Sequence, residues 1–188
     1  MAGLILNSFL VAFGALALAI PAAFTAALAG IAYGRHIRTG IMFGAAATLA
    51  LPPFLVANSW LEATAGWRTA IGGEAAAVAM LPVAATVLGL MLWPIPFFLI
   101  LGDWSRLQAF HIEAEPRLSG LRLIRHLLLP AGRPALRVGA TLVLTLALAN
   151  FTVPTLFQVR VFTEEFWIRF NTEGSASDRK STRLNSSH

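Results

Sequence analysis

Charged positions along the chain fall into a few short clusters, and the stretches between them are apolar. Residues 1–34, 39–61, 75–102 and 138–159 hold no Asp, Glu, Lys or Arg. A bilayer core of roughly 30 Å needs about 20 apolar residues in a helix rising about 1.5 Å per residue, so each run is long enough to cross. The pattern predicts four crossings: residues 6–34 with Pro21 inside, 41–60 with Pro52-Pro53, 76–101 with Pro82, Pro94 and Pro96, and 138–157, ending near Pro154. Proline is tolerated in such helices because neighbours satisfy the freed carbonyl. Ala26, Gly30 and Gly34 follow a four-residue spacing, as do Gly40 and Gly44, a pattern that lets helices approach closely in lipid. The expected fold class is all-α, a polytopic transmembrane helical bundle of about four crossings with a long helical loop on the cytoplasmic side.

Composition agrees with this picture. Hydrophobic residues make up 57% of the chain and charged residues 12%, against about 25% charged in an average soluble protein. There is no cysteine, which excludes disulfides, thiolate chemistry and Cys metal sites. The net charge of +5 does not point to nucleic acid, because the arginines sit in short loops rather than along one amphipathic face or in a basic tail. Residues 178–188 read D-R-K-S-T-R-L-N-S-S-H and resemble the translation of a common sequencing adapter, so they are set aside as a non-native tail. Without them, 14 basic residues fall by three and nine acidic residues by one, which leaves +3.

Charge sets the expected orientation. Residues 34–40 hold Arg35, His36 and Arg38 with no acid, and residues 102–137 hold Arg106, Arg117, Arg122, Arg125, Arg133 and Arg137. Residues 62–74 hold Arg68 against Glu62 and Glu74. The positive-inside rule places the first two loops in the cytoplasm. They are separated by two crossings and so share a side. Trp60 and Trp67 then belong at the outer interface and Trp104 at the inner one.

The loop of about 103–137 is too long for a simple connector, and its pattern is helical. Leu118, Leu121, Ile124 and Leu128 recur at three- to four-residue spacing, Arg117, Arg122, Arg125 and His126 fall mainly on other faces, and Ser119-Gly120 can break the chain between two short helices. Such an element lies on the inner membrane surface or faces a cytoplasmic partner. The stretch H-I-E-A-E-P-R-L-S-G-L-R-L-I-R-H-L-L-L-P-A-G-R-P-A-L, residues 111–136, resembles the cytoplasmic loop of ABC importer permeases. So do A-L-A-N-F-T-V-P-T-L-F at 147–157, N-S-F-L at 7–10, A-I-P-A-A at 19–23 and L-P-P-F-L-V-A at 51–57. Pro116 and a Gly120–Pro130 spacing about three residues short of the family's set this loop apart.

The resemblance covers roughly residues 7–172, and residues 1–177 then form a partial permease transmembrane domain. It implies a bacterial inner-membrane subunit that couples a separate ATPase subunit to solute import. A second permease domain and a solute-binding protein would be its other partners. Glu113, Glu115, Gly120, Arg122, Arg125, Pro130 and Arg133 would form the ATPase-coupling loop. The last crossing resembles permeases of ferric iron, thiamine or polyamine uptake. No phosphate-binding G-x-x-x-x-G-K-[ST] motif occurs, so ATP chemistry is expected on the partner, and no cofactor is expected here.

The remaining candidates are few. His36, His111 and His126 lack metal-ligand spacing. Asp103 reads as a solvated helix end. Asn150, polar within the fourth crossing, is a candidate pathway residue or a helix–helix hydrogen-bond donor. Glu164 and Glu165 with Phe166-Trp167 predict an outer amphipathic segment. Two rivals stand beside the importer reading: a sensor or enzyme subunit whose arginine-rich loop binds lipid, and a secondary transporter. The crossings carry no acid for ion coupling.

Overall fold

The computed structural model describes residues 2–111 and 120–172, and these residues are helical with short breaks and no strand. Glu113, Glu115, Arg117 and the segment 178–188 lie outside them. The helices are α1 (Ala2–Ala32), α2 (Arg35–Ala50), α3 (Pro53–Ala63), α4 (Ala65–Ile71), α5 (Gly73–Leu92), α6 (Pro94–His111), α7 (Leu121–Ala131), α8 (Arg133–Ala149), α9 (Thr152–Leu156) and α10 (residues 162–172). Helix α1 is the central post, packing on α5, α6, α8 and α2.

Two helical stretches are long and apolar enough to cross a membrane, Gly3–Ala32 and Val78–Ser105. They match the first and third expected crossings. The first runs unbroken through Pro21. In the second, the ladder continues across Trp93, which donates to Gly89 O at 3.0 Å and accepts from Phe97 N at 3.2 Å.

The second and fourth crossings differ from expectation. Helices α2 and α3 meet at 92°, and α7 and α8 meet at 64°, so up to four spans result only if each bent pair counts as one. The α2–α3 break has a local cause. Leu51 precedes a proline and Pro52 precedes another, which disfavours helix for both, and both are extended (ψ 128° and 132°). At 16 and 11 residues, about 24 and 17 Å, neither helix alone crosses roughly 30 Å. The fourth stretch stops at Ala149 and not near Pro154, because Asn150 turns extended (ψ 111°), and a separate short helix follows.

Close approach of helices uses small residues, only some of which the spacing singled out: Gly30 lies against Arg38 of α2, and Ala26 packs on the core. Ala15, Ala19, Ala23 and Ala27 form a fully buried ladder down α1. A Cβ on Gly14 would sit 2.8 Å from Ala85 Cβ, one on Gly89 2.9 Å from Ala15 O, and one on Gly139 2.7 Å from Pro96 Cβ. Gly40 and Gly44 meet nothing within 4 Å, since no described helix covers that side of α2. In lipid, burial of apolar area gives little drive between helices, so such contacts carry the packing.

The outer surface is apolar: Leu6, Phe13, Phe43 and Val78 are all more than half exposed. Thr25, Thr39, Thr48, Ser59, Thr86 and Thr141 each donate to the carbonyl four residues back, so these hydroxyls need no water. A lipid-facing surface has these properties; a water-facing one rarely exposes so much apolar area.

Candidate functional site

The best-defined polar feature is the bend between α7 and α8. Gly120 opens α7 with φ 62°, a conformation that suits glycine. The helix then loosens into a π-turn over Ile124–Leu128, where Leu129 N–H reaches Ile124 O. Pro130 follows and supplies no N–H, which removes a donor from the same turn. The widened turn shifts the phase of the apolar stripe by about one residue, or about 100°. Leu121 and Leu128, seven apart, therefore do not share a face as expected: Leu121 is 78% exposed and Leu128 is 6% exposed. Arg122, Arg125 and His126 point outward.

One residue fastens this bend to the bundle. Trp104 on α6 is fully buried, and its Nε1–H donates to Leu128 O at 2.9 Å. Its ring meets Phe24 of α1 edge-on at 5.4 Å. The same Leu128 carbonyl accepts Gly132 N–H at 2.9 Å, so two donors close the end of α7. Gly132 is required there, because a Cβ would lie 2.9 Å from Trp104 Nε1. Around this clamp pack Phe97, Ile100, Leu101 and Ala135, with Ala23 and Ala27 of α1. The charge pattern puts Trp104 at the inner interface; whatever its depth, its side chain is a buried anchor between helices. Asp103 itself lies within α6, partly buried, and not at a helix end.

Of the residues assigned to the loop, Gly120, Arg122, Arg125, Pro130 and Arg133 come together on this helix–bend–helix, with Arg133 exposed at the start of α8. Arg35 and Arg38, in the first turn of α2, flank the end of α1 beside the same core. No described carboxylate reaches salt-bridge distance of Arg35, Arg38, Arg122, Arg125, Arg133 or Arg137.

Asn150 lies at the far end. Its Oδ1 accepts Val153 N–H at 3.1 Å, so the partly buried Asn150 side chain bridges the break to the first turn of α9. Helix α9 sits between α3 and α5, with Val153 and Phe157 in a core with Val11, Ala57 and Met80. Two links then tie the following segment to α1: Ser8 Oγ accepts Phe162 N–H at 2.9 Å while donating to Leu4 O, and Asn7 Nδ2 donates to Arg160 O at 3.1 Å. Sequence reasoning singled out Trp104 but missed its clamp on Leu128 O, and it missed Gly132 and Ser8. A tryptophan facing a Pro-x-Gly turn 24 residues on carries no periodic signal. No family model matches this chain, and no curated protein or solved structure does so either.

Proposed function

We propose that the chain is the membrane-spanning permease subunit of an ATP-driven importer in a bacterial inner membrane. The arginine-bearing bend would face the cytoplasm and dock on a separate ATPase subunit. The observation that supports this best is the clamp. An outward helix carrying Arg122 and Arg125 is tied through Trp104 to α6 and through Phe24 to α1. A push on α7 therefore moves membrane helices as one body instead of bending a loose connector. Exposed arginines without internal partners suit charge-guided docking, which sets register and partner choice more than affinity. A solute-binding protein and a second permease domain complete the expected assembly. Asn150, where α8 breaks, remains the candidate for the pathway.

Co-purification of the full chain with a candidate ABC-type ATPase subunit tests the reading. Capture is expected for the wild type and for Arg160→Glu at the far end. It should be lost for Arg122→Glu combined with Arg125→Glu, while the unfolding temperature stays the same, since exposed substitutions usually change stability within about 0.5 kcal/mol. Undiminished capture by the double variant would remove the docking role. It would favour the bend as a lipid-binding element of a sensor or enzyme subunit.

A further inference from the structure

A second basic feature lies outside the bend. Between the end of α1 and the start of α2 is a cleft of about 490 Å³ lined by Gly30, Ile31, Arg35, Arg38, Thr39 and Met42. The stem of Arg38 lies across Gly30, where an added Cβ would be 3.6 Å from Arg38 Cγ, so the backbone of α1 seats this side chain. Arg35 is exposed, and neither guanidinium has a described carboxylate partner. Thr39 and Met42 also line a neighbouring groove of about 310 Å³, whose other walls are Phe43, Ala46 and Phe98. Sharing these two residues, the grooves adjoin along α2, with the arginines at one end and apolar walls at the other. Phe43 beside them is 74% exposed.

We propose that these adjoining grooves bind one anionic phospholipid, the phosphate between Arg35 and Arg38 and an acyl chain along Met42, Ala46 and Phe98. Charge complementarity selects an anionic head, because the cleft offers two cations and no described carboxylate partner. The apolar continuation selects a lipid over a free anion, since inorganic phosphate gains nothing from Phe98. A protein helix would fit the groove but would have to bring its own acids to the cleft. The inference requires only that the chain lies in a membrane, and it does not depend on an ATPase partner.

Native mass spectrometry of the full chain released from nanodiscs tests it. The probes are a phosphatidylglycerol/phosphatidylcholine mixture and inorganic phosphate alone. The wild type should retain phosphatidylglycerol in preference to phosphatidylcholine. Each basic residue near a lipid surface contributes about 5-fold in affinity, so Arg35→Gln with Arg38→Gln should lose roughly 25-fold. Arg137→Gln, which changes charge at the same end but outside the cleft, should keep the preference. Ala46→Trp fills the apolar end and should weaken lipid retention with both arginines intact. Helical circular dichroism checks that each variant is folded. Equal retention of both lipids, an equal loss on changing Arg137, displacement of the lipid by millimolar phosphate, or no effect of Ala46→Trp would each overturn the proposal.

Discussion

At the end of the bundle where α1 finishes and α8 begins, six described arginines face outward with no carboxylate partner among the described residues. At the opposite end part of the charge is paired internally: Glu165 takes Arg169 Nε at 3.1 Å and Arg160 Nη2 at 3.8 Å, while Glu62, Arg68 and Glu164 have no ion pair among the described residues. The anchoring differs as well. The arginine end is held by one large buried ring, Trp104, with a single hydrogen bond from Nε1 to Leu128 O. The far end is held by a scatter of small polar links: Ser8 and Asn7 reach the backbone of Phe162 and Arg160, Asn150 takes Val153 N–H, and Thr163 reaches back to Leu148 O near the end of α8. A rigid element with unspent charge is suited to an external partner. A broken, internally paired segment is suited to shaping the bundle itself.

Mutations at the two ends can break this contrast. The largest loss is expected for Trp104→Ala, about 3–5 kcal/mol, because it empties the clamp and strands the end of α7. Thermal unfolding in detergent reads it. A smaller cost than at any far-end site would show that the ring is not the anchor. Gly132→Ala follows at about 1–3 kcal/mol, from crowding against Trp104 Nε1. In a Trp104→Phe background that penalty should shrink by at least about 0.5 kcal/mol, since contacting residues couple. Additive costs would deny the contact.

At the far end, Ser8→Ala leaves the Phe162 N–H without its acceptor and should cost about 1–2 kcal/mol. Amide exchange should speed up over residues 158–172 and stay slow in α7. Glu165→Gln should cost least, under about 1 kcal/mol, because Arg160 and Arg169 are mostly exposed, and the small effect should fade with added salt.

Much of the helix content was legible in the charge-free runs, because apolar length alone demands helix in lipid. The first and third stretches came out as expected for that reason. The second and fourth did not, and both failures are local backbone chemistry inside an apolar run. Two consecutive prolines turn Leu51 and Pro52 extended, and Asn150 offers a side-chain oxygen to the first turn of a new helix. Hydropathy is blind to both. The arginine loop was legible as amphipathic, yet its inward face was misjudged at Leu121, since a π-turn changes the repeat that the periodicity assumes. The small-residue spacing at Gly40 and Gly44 marked a face with no described neighbour, whereas the buried ladder of alanines on α1 was hidden in a generally alanine-rich helix.

The chain contains no cysteine, so a single introduced thiol reports one position without background. Leu121→Cys places that thiol at the exposed start of α7, next to Arg122. A membrane-impermeant maleimide applied to inverted vesicles should label it fully, and the same reagent applied to intact cells should not. Labelling from the cell exterior would contradict an arginine-bearing bend that faces the cytoplasm, and with it the docking of an ATPase there.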